Sequence, residues 1–278
     1  MVGRNQRPLN RLGGELPEGV LVDTAWLKDH GYSRQLLSHY VSAGWLDRPA
    51  RGVYRRPRGP LTWQQLVVSL QALLDCPLAV GGRTALELLG YAHYLSRRES
   101  QVHLYGPKSP PGWLNNLKLD LQFKYHSDQR LFRNHPVALE LKKLVGTPAN
   151  AKNSLSLSLT ALPMGPWDWQ LILSTPERAL FELLDELPTH ETFHQVDMLM
   201  QGLTNLSPRR LQTLLADCKS VKVKRLFFFF ADRHTYAWLK PLKKQTFDLG
   251  TGKRLLAKGG KLDHTYQITV PEDLNDLS

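Results

Sequence analysis

Arginine side chains crowd one segment near the N-terminus, where residues 33–56 read SRQLLSHYVSAGWLDRPARGVYRR. Guanidinium groups pair with phosphate oxygens and can form two parallel hydrogen bonds with guanine. Since the chain also carries a formal net charge of +11, this composition favours binding to nucleic acid. A small helix and hairpin with a solvated arginine edge is the alternative, because runs of charge are often only solvated faces.

The first half of this segment has the pattern of a short amphipathic helix. Ser33 is a suitable N-cap and Gly44 a suitable stop. Residues 22–31 predict an earlier helix closed by glycine, so the pair forms a helix-turn-helix with 34–43 as its recognition helix. Side chains near the start of such a helix can reach base edges in the major groove. The residues expected there are Ser33, Arg34, Gln35 and Ser38.

A basic hairpin is predicted directly after the recognition helix, around a turn at 49–52. A hairpin beside a helix of this size is typical of a winged helix-turn-helix. Its arginines are expected to pair with phosphates or to enter the minor groove, so they would supply affinity and salt dependence more than sequence choice. The predicted contacts of this wing are Arg48, Arg51, Arg55 and Arg56.

The 278 residues are enough for two domains. We predict a winged helix-turn-helix domain over 1–95 and a second domain over 96–278 that mixes strands and helices. The fold class is therefore α+β, with a larger mixed α/β domain after the winged helix.

The predicted elements of the chain follow from its hydrophobic periods and its capping residues. Helices are predicted over 62–74, 84–89, 191–202, 208–218 and 221–231, and a further helix starts at 174–177 and stops before Pro188. Strands are predicted over 101–105, 119–126, 155–159, 245–248, 254–257 and 266–270. The four phenylalanines at 227–230 fit a buried strand as well as a helix, because periodicity cannot decide so short an apolar run.

The compartment can be predicted from the cysteines and from the N-terminus. Cys76 and Cys218 are the two cysteines of the chain, and they lack a metal-ligand spacing, which favours a reducing environment. The N-terminus is basic and polar, unlike a signal peptide, and no apolar run is long enough to span a bilayer. We expect a cytoplasmic protein with no membrane partner.

One group of residues has the types required by a metal-dependent nuclease. Glu140 and Lys142 form an E-x-K triplet, and Asp120 lies on the polar side of a preceding predicted strand. Carboxylates would hold Mg²⁺ and the lysine would lie near the attacking water. Because E-x-K is common on helix surfaces and solvated carboxylates belong on a strand's polar side, a nuclease is the alternative and not the leading function.

Two further patterns have simpler explanations than chemistry. A metal could bind at the helical spacing of His190, His194 and Asp197, but nearby carboxylates favour a solvated helix face. Residues 249–254 lack the spacing of a phosphate-binding loop, and a hairpin turn explains them. We predict no catalytic residue, no metal and no cofactor, and therefore no enzyme.

Several short motifs occur in a characteristic order along the chain. They are GWLDRPARGVY at 44–54, GGRTAL at 81–86, STPERA at 174–179, VKRLF at 223–227, LGTGKR at 249–254 and KGGKLD at 258–263. In their order and spacing the chain resembles the AbiEi family of abortive-infection antitoxins over nearly its whole length. The resemblance implies a bacterial type IV antitoxin that binds inverted repeats in its own promoter, represses its operon and counters a nucleotidyltransferase-like toxin.

The resemblance also assigns roles to particular residues and partners. The matched wing residues Arg48 and Arg51 would contact DNA, with two copies on an inverted repeat and a monomer or weak dimer in solution. The second domain would counter the toxin, either indirectly or by binding it. A second basic patch would face nucleic acid or toxin, unless it is only a solvated hairpin: Lys253, Arg254, Lys258 and Lys261. An adaptor whose second domain holds only protein partners is a third hypothesis.

Overall fold

The structure is a computed structural model that describes residues 8–91, 101–145, 156–164 and 169–274. A small antiparallel sheet with helices forms its N-terminal part, and a larger mixed α/β domain follows. The predicted α+β fold class is therefore confirmed. Within the described ranges, no helix is both long enough and apolar enough to cross a bilayer.

The N-terminal part has the element order of a winged helix. Its elements are α1 (Pro8–Glu15), β1 (Leu21–Asp23), α2 (Thr24–Asp29), α3 (Arg34–Ser42), β2 (Asp47–Ala50) and β3 (Val53–Arg55). The three strands form an antiparallel sheet in the order β1-β3-β2. The elements that connect to the larger domain are α4 (Trp63–Ala72), β4 (Ala79–Val80) and α5 (Gly82–Leu88).

Side-chain caps determine where the helices of the N-terminal part begin. Asp23 accepts a hydrogen bond from the Trp26 amide at 2.8 Å, which starts α2. The turn into α3 needs a left-handed residue, and Gly31 provides it with φ of 82°. Leu12 of α1 and Leu37 of α3 are buried in one apolar cluster. The sequence did not predict α1, which completes this small core.

The remaining elements build the larger domain. They are β5 (Gln101–Gly106), β6 (Gln122–Ser127), α6 (Val137–Leu144), β7 (Leu159–Pro163), β8 (Gln170–Ser174), α7 (Pro176–Asp185), α8 (Phe193–Gly202), α9 (Pro208–Asp217), α10 (Val221–His234), β9 (Lys261–Asp263) and β10 (Ile268–Val270). Five strands form a mixed sheet in the order β6-β5-β4-β8-β7. In it, β5 and β6 are parallel, as are β4 and β8.

The core of the larger domain lies around α7 and α10. Phe181 of α7 stacks on Phe227 of α10 with ring centroids 5.3 Å apart. Phe228 and Phe230 are also fully buried. The run of four phenylalanines is therefore helical and not a strand. A buried helix can be apolar on all its sides, which explains four consecutive phenylalanines.

The helix α4 joins the two parts of the molecule. Ser69 accepts a hydrogen bond from the amide of Leu21 in β1, at 2.8 Å. Two residues later, the buried Gln71 amide donates to Ile172 O of β8 at 2.8 Å and accepts from Ile172 N at 3.0 Å. One helix is thus bonded to both sheets. The strand β4 precedes residue 95 but already belongs to the sheet of the larger domain. The domain boundary near residue 95 therefore stays a prediction.

Some predicted strands are wrong in extent or in type. Of the strand predicted over 155–159, residue 155 lies outside the described residues, and β7 begins at Leu159. Ser156 precedes this strand, where its hydroxyl donates to Glu140 and accepts from the Leu159 amide at 2.9 Å. Residues 244–246 form a 3₁₀ turn where a strand was predicted. Of the strand predicted over 254–257, only a bridge between Arg254 and Ile268 is present. The short strands β4, β8 and β9 were not predicted, because strands of a few residues give little period.

Candidate nucleic-acid interface

The exposed face of α3 carries the residues expected at base edges. The Ser33 hydroxyl accepts from the Leu36 amide at 3.3 Å and so caps the helix. Leu37 and Tyr40 are buried and fix the inner face of α3. Arg34, Gln35 and Ser38 are all exposed. The polar side of this helix is consequently open to a partner.

The wing leaves directly from the end of α3. The amides of Trp45 and Leu46 both donate to Tyr40 O, at 2.9 and 3.2 Å. At its tip, Gly52 has φ of 77°, and its carbonyl accepts from the amide of Thr24 at 2.9 Å. The Thr24 hydroxyl donates to the same carbonyl at 3.1 Å. The tip of the wing is therefore held against the first residue of α2.

The four wing arginines fall into two groups. Arg48 and Arg51 are exposed, and neither forms a hydrogen bond or an ion pair with the described residues. In contrast, Arg55 is only 11% exposed, and its Nη2 lies 3.2 Å from Asp47 Oδ2 and donates to Gly59 O at 2.9 Å. Of the four predicted contacts, Arg48 and Arg51 are the two whose guanidinium groups have no partner among the described residues.

Arg56 fastens the wing to the first helix. Its Nη1 donates to Gly13 O at 3.0 Å and to Leu16 O at 3.1 Å, and its Nη2 lies 3.3 Å from Glu18 Oε1. The two carbonyls belong to the end of α1 and the residue after it, where helix carbonyls lack internal partners. Arg56 therefore has a structural role that its position in the sequence did not predict.

We predict that Arg56→Ala lowers the free energy of unfolding by about 1–2 kcal/mol, because it removes charge-assisted hydrogen bonds to partly buried carbonyls. The salt dependence of DNA binding should stay the same, since this guanidinium is occupied within the chain. Urea unfolding and anisotropy titrations at several salt concentrations measure the two effects. A shallower salt slope with unchanged stability would instead identify Arg56 as a phosphate contact.

Two exposed residues of this surface were not singled out from the sequence. His39 is exposed on α3, and Trp45 is 54% exposed at the junction with the wing. The next residue, Leu46, is buried, so the chain turns inward directly after Trp45. An exposed aromatic side chain between a helix and a wing can make apolar contact with a thymine methyl or a sugar.

The predicted second basic patch lies on the surface of the C-terminal tail. Its four residues are all exposed: Lys253, Arg254, Lys258 and Lys261. Leu255, within the patch, is 75% exposed. The loop before it is held by buried Arg225, which donates to Leu249 O and to Gly252 O, both at 2.7 Å. Residues 249–254 form a supported turn, but the hairpin predicted there is wrong, because the flanking strands predicted over 245–248 and 254–257 are not present as strands.

The nuclease residues are not arranged as a metal site. Asp120 lies before β6 and not within it, so its predicted place on a strand is wrong. Glu140 is buried and already bonded to Lys143 Nζ at 2.7 Å and to the Leu157 amide at 3.1 Å. These bonds hold the pKa of Glu140 below its usual value against the opposing effect of burial. Lys142 is exposed on α6.

The histidines considered as metal ligands also have other partners. His194 lies 2.5 Å from Asp273, and Asp197 lies 2.6 Å from His234 and 3.1 Å from Arg233. His190 lies beside Asp185 and Glu186 at the end of α7. In the part of the chain that the structure describes, no group of three or more such side chains has the geometry to hold a metal ion.

An exposed polar helix beside a basic wing, followed by a larger α/β domain, defines a winged-helix protein with a second domain. Two family models match the chain. Residues 99–271 match a model described as "Transcriptional regulator, AbiEi antitoxin, Type IV TA system", and residues 5–97 match the N-terminal domain of the same regulator. The chain belongs to the AbiEi antitoxin family. It is a transcriptional regulator and the antitoxin of a type IV toxin–antitoxin system, and it is not an enzyme.

A solved structure shares this fold. The crystal structure of the RV2827C protein from Mycobacterium tuberculosis aligns with a TM-score of 0.56 and 16% sequence identity, over 95% of this chain and 90% of that one. At this identity the likeness concerns the fold alone. No curated protein sequence matches the chain.

Proposed function

We propose that this chain represses its own operon by binding inverted repeats in the promoter. In this proposal α3 enters the major groove and the wing grips the adjacent backbone. The proposal rests on which arginines have bonding partners within the chain. Arg55 and Arg56 form hydrogen bonds within the domain, while Arg34, Arg48 and Arg51 are exposed and have no partner in the described chain.

The contacts divide by their chemistry. Arg34 and Gln35 lie in the first turn of α3, where bidentate bonds to guanine and adenine are available. Arg48 and Arg51 provide the phosphate contacts that position the helix. Inverted repeats offer two half-sites, so two copies of the chain would bind one operator, from a monomer or weak dimer in solution.

The second domain would act against a nucleotidyltransferase-like toxin in the cytoplasm. Support comes from the type IV family match over 99–271 and from the exposed basic patch around Leu255. Growth rescue during coexpression with the neighbouring toxin gene tests this part. If alanines at Lys253, Arg254 and Lys258 leave both rescue and DNA binding intact, the patch has no role in either.

Arg34→Ala and Gln35→Ala should each relax the preference at one or two base pairs of the operator. Each good bidentate contact discriminates by about 1–3 kcal/mol, so we expect the gap between operator and single-base variants to shrink roughly 5- to 150-fold. Fluorescence anisotropy with the upstream DNA and its point variants measures this. Arg209→Ala on α9 removes an equal charge from another surface and is the matched control.

The outcome of that comparison decides the orientation of the helix. If Arg34→Ala weakens all sequences alike and leaves their ranking unchanged, then α3 contacts only the backbone. If the wild-type chain shows no preference for its upstream DNA over a scrambled duplex, the proposed autorepression is wrong.

A further inference from the structure

A cleft of about 420 Å³ opens in the second domain, between β5, β6 and α7. Its lining includes His103, Tyr105, Lys124, His126 and Glu186. This volume falls in the range of small-molecule sites, roughly 300–1,000 Å³. Neither the winged helix nor the basic patch of the tail contributes to it, so the cleft is independent of the proposed DNA contacts.

A chain of hydrogen-bonded rings forms one wall of the cleft. Glu186 Oε1 lies 2.9 Å from His126 Nδ1, and His126 Nε2 lies 3.0 Å from His103 Nδ1. The Tyr105 ring stacks on His126 with centroids 4.6 Å apart. Burial lowers the pKa of His103 to about 4. This wall is therefore uncharged at His103 and fixed in position by Glu186.

Two deeply buried polar atoms of the cleft residues have no hydrogen-bond partner among the described residues. Tyr105 is 4% exposed, and its hydroxyl makes no hydrogen bond. Asp128 is 2% exposed: its Oδ2 accepts from the Val137 amide at 2.6 Å, while its Oδ1 is unsatisfied. An unpaired buried polar group costs about 1–3 kcal/mol. Both atoms have almost no accessible surface, so a ligand that carries hydroxyl or amino groups would satisfy them after a small shift of the side chains around them.

The cleft contains two ion pairs between its own residues, a carboxylate of Glu186 that is bonded to His126, and the carboxylate of Asp128. Arg178 is bonded to Glu182 at 2.7 Å, and Lys222 Nζ lies 3.3 Å from Asp185. The remaining cations, Lys124 and Arg130, lie nearer the surface and form no ion pair in the described part of the chain. Two free cations at the mouth of a site attract an anionic group such as phosphate.

We propose that this cleft binds a small organic phosphate, with its phosphate at Lys124 and Arg130 and its hydroxyl or amino groups at Tyr105 and Asp128. Nucleoside monophosphates and sugar phosphates share this chemistry. A simple inorganic anion would leave the two buried atoms unpaired, and an unphosphorylated nucleoside would leave the rim cations unpaired. The site is a binding site of the antitoxin domain, and the proposal includes no reaction.

Calorimetric titration of the full chain tests the proposal. The probes are the four nucleoside monophosphates, ribose 5-phosphate, uridine and inorganic phosphate. We expect saturable binding of one organic phosphate per chain, at least tenfold tighter than binding of uridine or inorganic phosphate. If only the nucleotides bind tightly, the cleft also recognises the base. If ribose 5-phosphate binds equally well, the ligand class is a sugar phosphate.

Matched variants locate the site. Lys124→Ala with Arg130→Ala should weaken binding at least tenfold, and Lys118→Ala, on an exposed residue outside the cleft, should not. Tyr105→Phe removes only a hydroxyl that makes no bond, so affinity should fall several-fold while the melting temperature stays or rises. The double variant Arg48→Ala/Arg51→Ala should bind the ligand normally.

The proposal is overturned by any of three results. One is the absence of saturable binding by every organic phosphate. Another is unchanged affinity in the Lys124→Ala/Arg130→Ala chain, provided that its circular dichroism matches wild type. The third is loss of binding in the Arg48→Ala/Arg51→Ala chain, which would place the phosphate on the wing.

Discussion

Alanine at both Arg48 and Arg51 is expected to weaken binding of promoter DNA about 100-fold near 0.15 M salt. Each arginine would form a charge-assisted contact with phosphate worth about 1.5 kcal/mol, and each 1.4 kcal/mol corresponds to a factor of ten. Both guanidinium groups are exposed and unpaired in the described chain, so the loss is not offset by any broken internal bond. The folded structure should remain intact.

The salt dependence identifies the mechanism of that loss. Each phosphate contact contributes about 0.9 to the slope of log K against log salt concentration, so the double variant should bind with a slope shallower by about two. Arg209→Ala serves again as the charge-matched control. Arg48→Lys with Arg51→Lys should keep most of the slope, because lysine also neutralises phosphate. Wild-type affinity and slope in the double alanine variant would refute the wing assignment.

Arg178→Ala should be the most damaging single substitution for stability. Arg178 is fully buried, and it donates to Glu182 Oε1 and to His135 O, both at 2.7 Å. Its guanidinium also lies 4.9 Å from the centre of the Phe132 ring. Removing one partner of a buried ion pair costs about 3–5 kcal/mol, because the other charge stays buried without compensation. Denaturation by urea measures the loss.

The same variant should acquire a pH dependence. Burial already raises the pKa of Glu182 above its usual value, and Arg178 opposes that rise. Without Arg178, the folded-state pKa rises further, whereas the unfolded value stays near about 4.3. The folded state then binds more protons, so stability falls as the pH increases above the unfolded value. We expect a larger deficit at pH 8 than at pH 5.

Two controls separate the buried charge from a general loss of packing. Arg209→Ala, on the surface, should change stability by no more than about 0.5 kcal/mol. Arg178→Met combined with Glu182→Leu removes both charges and should recover part of the loss. Recovery will be incomplete because Glu182 also accepts from the Gly82 amide at 2.9 Å. A deficit that does not vary with pH would contradict the proposed role of Glu182.

Local signals in the sequence predicted much of the winged helix. Ser33 caps α3 as expected, Asp23 caps α2, and Gly31 and Gly52 take the left-handed backbone of their turns. These features depend on a few neighbouring residues, so a single sequence contains them. The helix start at Thr175 and Pro176 was visible for the same reason.

Long-range pairings could not be read in this way. In the sequence, Arg55 and Arg56 cannot be distinguished from Arg51. Only the folded structure shows that they donate hydrogen bonds to the carbonyls of Gly59, Gly13 and Leu16. The cleft was missed because β5 and β6 pair in parallel register, which places His103 opposite Lys124 and Tyr105 opposite His126. Residues some 20 positions apart become neighbours only when the sheet forms.

The double attachment of α4 has a mechanical consequence. Because α4 is bonded through Ser69 to β1 and through Gln71 to β8, a rotation of the winged helix relative to the larger domain would have to break these hydrogen bonds. On the proposed inverted repeat, the spacing between the half-sites would therefore have to match the distance between the winged helices of the two bound molecules. One inserted base pair turns a half-site by about 35°, an angle that a stiff pair of molecules would have to absorb by bending the duplex.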